Sequence, residues 1–166
     1  MEEQIMNMPA VALRGLTILP GMIAHFDISR ERSLRAVEEA MEQDQKIYLV
    51  TQRNVDSEDP TQDDLYQMGI VADIKQVVRL QNDVVRILVD GISRAALLGF
   101  TGNEKYLEAE ICYCDSNADS LPEDLREAML LGVREAFHRY AAVVGKISKE
   151  LIRQIDQYED LEKLID

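Results

Sequence analysis

The 166-residue sequence has no tryptophan, only two cysteines, two histidines and four prolines. Two thiols are too few for the disulfide framework of a small secreted scaffold. In Cys112-Tyr113-Cys114 they share one face of a strand, about two rises of ~3.3 Å apart, at the upper limit of bridged pairs. They read as reduced thiols of a cytosolic chain. A zinc site would need two more ligands, and His25 and His138 each stand alone. Neither histidine has a serine or aspartate spaced to form a triad, so no catalytic residue is assigned. The eight glycines compose neither G-x-G-x-x-G nor G-x-x-x-x-G-K-[ST], which removes nucleotide binding by a standard loop. Uninterrupted apolar runs reach about five to seven residues, against the ~18–20 of a membrane span. The start carries Glu2 and Glu3 without a basic-then-apolar leader, so no secretory signal is expected.

What is present is a chain that can fold. It is 46% hydrophobic and 30% charged, which suits one full domain, or a small domain with an appendage, and excludes wholesale disorder. Acids outnumber bases 31 to 18, for a net charge of −13 and a pI of about 4.6. That balance disfavours nucleic acid as a partner, because phosphates are met by clustered Lys and Arg.

The sequence changes character near residue 118. Before it, short apolar stretches alternate with period two between turn residues. Strands are expected over Met8–Leu13, Ile23–Ile28, Lys46–Gln52, Gly69–Leu80, Val84–Asp90, Ala95–Phe100 and Tyr106–Cys114. Gln81-Asn82-Asp83 is the turn of a hairpin. Ser29 is the expected N-cap of a helix through Asp44, with Leu34, Val37, Ala40 and Met41 on its apolar face. Such a set suggests a small sheet rolled into a barrel or two packed sheets, with one helix lying on it. Beyond residue 118 the pattern is helical. Ser120 to Glu123 forms a capping box with Pro122 in the first turn. A stripe of Leu125, Met129, Ala136, Phe137, Tyr140, Ala141 and Val144 follows. Gly145 stops that helix, Ser148 caps a second with Leu151, Ile152 and Ile155, and a third begins at Leu161, Leu164 and Ile165. The third is so short that the chain is expected to be the front of a longer one.

Two stretches invite a functional reading. Asn54 to Asp64 holds Asp56, Glu58, Asp59, Asp63 and Asp64 and no base. It lacks the D-x-D-x-D-G order and closing glutamate of a calcium loop, so it reads as a solvated loop with no metal. Leu16 to Met22 is apolar and ends in a Pro20-Gly21 turn. It is either a buried connection or an exposed patch that touches another protein.

An ordered series of segments carries a resemblance. It runs from Met8-Pro9-Ala10-Val11-Ala12-Leu13-Arg14-Gly15-Leu16-Thr17-Ile18-Leu19-Pro20-Gly21, through Ser29 to Ser33 and Ala36 to Met41, to Val50-Thr51-Gln52. It continues with Asp64-Leu65-Tyr66-Gln67-Met68-Gly69-Ile70-Val71-Ala72, Val89-Asp90-Gly91-Ile92-Ser93-Arg94-Ala95 and Ile147-Ser148-Lys149-Glu150-Leu151. Together they resemble the N-terminal domain of ATP-dependent Lon proteases. Leu19 stands where that family often has Phe before the turn, and length varies around Thr101 to Lys105.

The resemblance implies an α+β fold: a PUA-like small β-barrel with one packed helix over 1–118, and the start of a helical subdomain over 119–166. It implies the substrate-recognition and assembly portion of a cytoplasmic ATP-dependent serine protease that degrades misfolded, damaged and short-lived regulatory proteins. The alternative is a stand-alone adaptor or binding module of the same fold. Implied partners are unfolded or damaged proteins and further copies of the chain, as a homohexamer of the parent or a dimer of the fragment. No membrane and no nucleic acid are implied. ATP, magnesium and the Ser-Lys dyad belong to the parent, and this portion carries no cofactor. Leu16, Ile18, Leu19 and Met22 are the candidate substrate contacts; Pro20, Gly21, Gly91 and Arg94 are assigned to fold maintenance.

Overall fold

A computed structural model describes residues 5–114 and 120–166. The chain divides into two compact units, Met1–Cys114 and Asp115–Asp166.

Among the described residues, the first unit is one mixed six-stranded sheet with a single α-helix: β1 (Ile5–Leu13), β2 (Ile23–Ile28), α1 (Glu31–Glu42), β3 (Lys46–Thr51), β4 (Met68–Arg79), β5 (Val85–Phe100) and β6 (Glu108–Tyr113). The strand order is β2-β5-β4-β3-β1-β6, with β1 and β3 parallel and the other pairs antiparallel. The expected hairpin is β4–β5, turned by Asn82 and Asp83 at φ 59° and 58°. Short polar side chains tolerate this left-handed region, and two such residues match the twist of the flanking strands.

The two strands expected at Val84–Asp90 and Ala95–Phe100 are one bent strand, β5. Pairing registers slip between Val71 and Ala72 and between Leu97 and Gly99, which leaves Ile92 and Leu98 as bulged residues. Bulges bend a strand and raise its twist. The N-terminal half of β5 therefore pairs with β2, and its C-terminal half with β6. That second pairing brings the sheet round upon itself, yet the result is not the clean barrel the sequence suggested. β2 flanks only half of β5 and remains an edge.

Strands buried on both faces feed two cores. Val11, Leu13, Ile47 and Leu49 enter the first, with Ile87, Val89 and the helix residues Ala36, Val37 and Ala40. Their neighbours Ala10, Ala12, Tyr48 and Val50 enter the second, with Ala95, Ala109 and Ile111. This explains near-continuous apolar runs where one-sided strands would alternate. Each fully buried Ile contributes roughly 1.5–3 kcal/mol. α1 begins one residue later than expected. Arg30, not Ser29, is the N-cap, because it is still extended (φ −70°, ψ 131°) while its carbonyl accepts from Leu34 N at 2.9 Å. The buried face is Ser33, Ala36, Val37 and Ala40; Leu34 is half-buried and Met41 exposed, since small alanines let the helix approach the sheet.

The second unit holds α2 (Glu123–Val144), α3 (Lys149–Gln157) and α4 (Leu161–Ile165). Gly145 closes α2 at φ 66° with its N–H on the Ala141 carbonyl, and the Ser148 hydroxyl accepts from Leu151 N. The expected capping box does not start α2: Pro122 is itself the N-cap, with no side-chain hydrogen bond there. The expected apolar stripe is also corrected. Leu125, Met129, Tyr140 and Val144 are exposed, whereas Leu130 packs with Leu161 and Leu164, supported by Val133 and Ile155. Because α2 carries apolar residues on more than one face, periodicity alone could not tell which one α4 covers.

Candidate functional site

The Leu16–Met22 stretch links β1 to β2 and is built around a tight turn. Met22 N donates to the Leu19 carbonyl at 3.1 Å, with Pro20 second and Gly21 third at φ 74°. Pro presets its own φ and glycine takes the positive one, the type II pattern. The turn is bound to the middle of β5 by two further hydrogen bonds: Gly21 N to the Gly91 carbonyl (2.7 Å) and Gly91 N to the Met22 carbonyl (3.0 Å). A β-carbon on Gly91 would stand 2.3 Å from the Leu19 oxygen and 2.9 Å from Ile70 Cδ1. Only glycine fits there, so Pro20, Gly21 and Gly91 meet at one joint. Arg94 lies three residues on, opposite Ile70 in β4.

The four candidate contacts do not form one exposed patch. Ile18 is 5% exposed and is part of the first core. Leu16 is half-buried against the same core. The stretch is held down because Thr51 Oγ1 donates to the Leu16 carbonyl at 2.9 Å. Leu19 is half-buried, and Met22 is exposed. Leu16 and Ile18 thus anchor the loop, while Leu19 and Met22 face outward.

Leu19 opens onto a groove of about 480 Å³. Thr17, Ile18 and Leu19 form one bank, and Tyr66, Gln67 and Met68 the other, over a floor of Leu49 and Gly69. The second bank sits close because the second residue of β4 is a glycine. A β-carbon on Gly69 would lie 2.5 Å from the Tyr48 ring and 2.6 Å from the Leu49 oxygen. Tyr66 and Met68 are about half exposed. Arg53 lies over Tyr66, its guanidinium carbon 5.2 Å from the ring centroid, and its Nε donates to the Leu65 carbonyl at 3.0 Å. Such cation–π stacking favours a fixed guanidinium. Arg94 also lines the groove, and among the described residues no carboxylate does.

Reasoning from sequence missed Arg53, Tyr66 and Met68. The available signal was Tyr66-Gln67-Met68 immediately before the expected Gly69–Leu80 strand and outside its alternation. The acidic stretch 54–64 is a surface loop, as expected, but it is tethered. Ser57 O accepts from Arg14, Glu58 O from Arg30 and the Asp59 carboxylate from Arg32, at 3.0, 3.2 and 3.0 Å. Arg30 also holds the Ala12 carbonyl (2.7 Å) and Gln52 Oε1 (2.9 Å). Burial, then the neighbouring Arg14 charge, set its guanidinium below the ordinary value. Cys112 and Cys114 are thiols, and Cys114 Sγ lies 3.7 Å from Met68 Sδ at the groove's edge. His138 Nε2 meets Asp156 Oδ1 at 2.8 Å, joining α2 to α3.

Comparison with known proteins adds a family. The model of the "ATP-dependent protease La (LON) substrate-binding domain" matches residues 7–166. A Lon protease of Lachnoclostridium phytofermentans is 37% identical over 166 residues, covering 100% of this chain and 20% of that protein. A Lon protease of Clostridioides difficile is 35% identical over 163 residues, covering 96% and 21%. The chain therefore spans about a fifth of the length of the curated relatives it matches. Among solved structures, the N-terminal domain of the Mycobacterium avium complex Lon protease superposes with a TM-score of 0.73 at 16% identity, covering 97% of this chain and 80% of that one. A Lon N-terminal domain protein from Xanthomonas campestris gives 0.57 at 14% identity, covering 96% and 95%. At these identities the likeness concerns the fold.

Proposed function

The chain belongs to the family of Lon substrate-binding domains, and on that premise we propose that it captures unfolded or damaged polypeptides for an ATP-dependent serine protease. The observation that carries the reading is the groove beside the Pro20-Gly21 turn. Apolar side chains of Leu19, Tyr66 and Met68 border it, and Met22 is exposed on the turn beside it, on a chain of net charge −13. Exposed apolar surface of this kind offers burial to segments that folded proteins keep inside. Rigid backing favours the same role, since both banks are tied to the sheet by backbone hydrogen bonds.

Peptide cleavage by a Ser-Lys dyad and nucleotide chemistry with magnesium fall to other parts of the parent. This chain's sequence contains no phosphate-binding loop to hold ATP. Its barrel is read as PUA-like, its address as cytoplasmic, and its second role as helping the parent assemble into a homohexamer. Among the described residues no helix is long and apolar enough to cross a membrane. One groove gives weak binding, and several copies in a ring raise it through effective concentration.

The test is fluorescence anisotropy with a labelled, reduced and carboxymethylated protein that cannot refold. Wild type should bind weakly and saturably, and Met22→Asp, Met68→Asp and Leu19→Asp should each weaken binding several-fold. Unchanged binding by folded Met22→Asp and Met68→Asp proteins would overturn the assignment.

A further inference from the structure

The charge of the groove is opposite in sign to the chain's net −13: among the described residues its lining carries Arg53 and Arg94 and no carboxylate. Arg53 is exposed, and its Nε is engaged by Leu65 O. Among the described residues, its two terminal guanidinium nitrogens have no acceptor, although the stack on Tyr66 fixes their position. A fixed guanidinium with two free N–H edges suits a carboxylate, which it grips through paired hydrogen bonds.

The spacing restricts which carboxylate fits. The guanidinium carbon stacks 5.2 Å from the Tyr66 ring centroid, so an anion held by Arg53 stands beside the apolar bank, and an occupant with an apolar group and an anion on one residue serves both. An adjacent internal apolar–acidic pair does not present both groups to the groove, because successive side chains of an extended peptide project to opposite sides. Residues two apart share a side but stand roughly 6.5 Å from each other along the strand. At a C-terminal residue the carboxylate and side chain leave the same Cα, and Cβ and the carboxyl carbon are about 2.5 Å apart. We infer that the groove recognises the free C-terminus of a polypeptide whose last side chain is apolar, with Arg53 taking the carboxylate. The inference rests on the polypeptide-binding reading and narrows it. Apolar C-termini are exposed in truncated or unfolded chains, so a terminal carboxylate beside a large side chain would mark them independently of internal sequence.

The experiment titrates the 166-residue chain with the hexapeptide Gly-Ser-Gly-Ser-Gly-Phe as free acid and as C-terminal amide, and with an amidated peptide ending Phe-Glu. Calorimetry gives affinity, and methyl NMR of Leu19 and Met68 gives location. The free acid should bind about tenfold tighter than its amide and shift both methyl groups. Arg53→Gln should abolish that ratio, and Arg53→Lys should retain part of it. Equal binding of acid and amide, with shifts at Leu19 and Met68, overturns the C-terminal inference and leaves the polypeptide reading intact. No shift at either residue with any peptide overturns both. A tenfold ratio that survives Arg53→Gln, or an amidated Phe-Glu peptide that matches the free acid, also overturns it. If Arg53→Gln does not fold, the Arg53→Lys variant and the wild-type comparison decide.

Discussion

Replacing Gly91 with alanine tests the joint that positions the groove. The added methyl would stand 2.3 Å from the Leu19 carbonyl oxygen, about 1 Å inside an ordinary carbon–oxygen contact. Leu19 O cannot simply rotate away, because it accepts from Met22 N at 3.1 Å and so closes the turn. Relief requires the loop to lift off β5, which breaks Gly21 N to Gly91 O and Gly91 N to Met22 O. Two hydrogen bonds contribute about 0.5–1.5 kcal/mol each, and overpacking typically costs about 1–3 kcal/mol. The expected destabilisation is therefore about 2–6 kcal/mol, a large share of the ~5–15 kcal/mol that holds a domain together.

Gly99 supplies the control on the same strand. Its nearest prospective neighbour is Gln62 Oε1 at 3.9 Å, so Gly99→Ala should lie within about 0.5 kcal/mol of wild type or gain slightly from a stiffer unfolded chain. The assay is urea denaturation followed by tyrosine fluorescence, with Tyr48, Tyr66, Tyr106 and Tyr113 all in the sheet unit. Equal midpoints and slopes for Gly91→Ala and Gly99→Ala would refute the claim that close approach excludes every side chain at 91.

Tyr48 is fully buried and its hydroxyl donates to the Ala95 carbonyl at 3.0 Å, so Tyr48→Phe should cost about 1–2 kcal/mol in the same titration. Asp27 accepts two hydrogen bonds from Arg86 across β2 and β5, at 2.6 and 2.8 Å, which holds its carboxyl below the ordinary 3.8. A lowered folded-state pKa makes its contribution fully present above 3.8 and lost as pH falls through the folded value. The stability gap between wild type and Asp27→Asn should close over that acid range, and shrink in molar salt because the pair is exposed. Asp160 caps α4 through Glu162 N and Lys163 N, at 3.1 and 3.2 Å. Asp160→Ala should cost about 0.5–2 kcal/mol and loosen Leu161 and Leu164, read as faster hydrogen exchange in α4.

Much of the sheet was legible because its residues obey local rules. Asn82-Asp83 declared a hairpin, Pro20-Gly21 a turn and Ser148 a cap, each through chemistry confined to a few neighbours. The alternation of Leu107, Ala109 and Ile111 against Glu108 and Glu110 survives as buried against half-buried positions in and beside β6. What failed depends on partners far away in sequence. Gly91 looks like a strand break until the Leu19 carbonyl is set against it, after which one continuous β5 is the only fit. Ile18 looks as available as Met22, since both are apolar and near a turn. Their difference lies in the underlying core, which Ile18 reaches and Met22 does not. Arg53 and Tyr66 lie thirteen positions apart across a polar loop, and only the pairing of Gln52 with Leu65 brings them together.

That same dependence explains why the groove can be both greasy and durable. An exposed apolar patch on a mobile loop would collapse onto the nearest core or invite self-association. Here the inner residues of the stretch, Leu16 and Ile18, are spent on the core, and two backbone hydrogen bonds pin the turn to β5. The opposite bank is held by Gly69 pressed against Tyr48 and by Arg53 bonded to Leu65 O. With both banks held by the fold, a polypeptide bound as proposed would order little backbone of the site and lose mainly its own conformational entropy. The strong net negative charge keeps such chains apart at a distance. Among the described residues that line the groove, the charged ones are Arg53 and Arg94. On the proposed reading, a surface built this way supports weak, repeated contact with apolar segments.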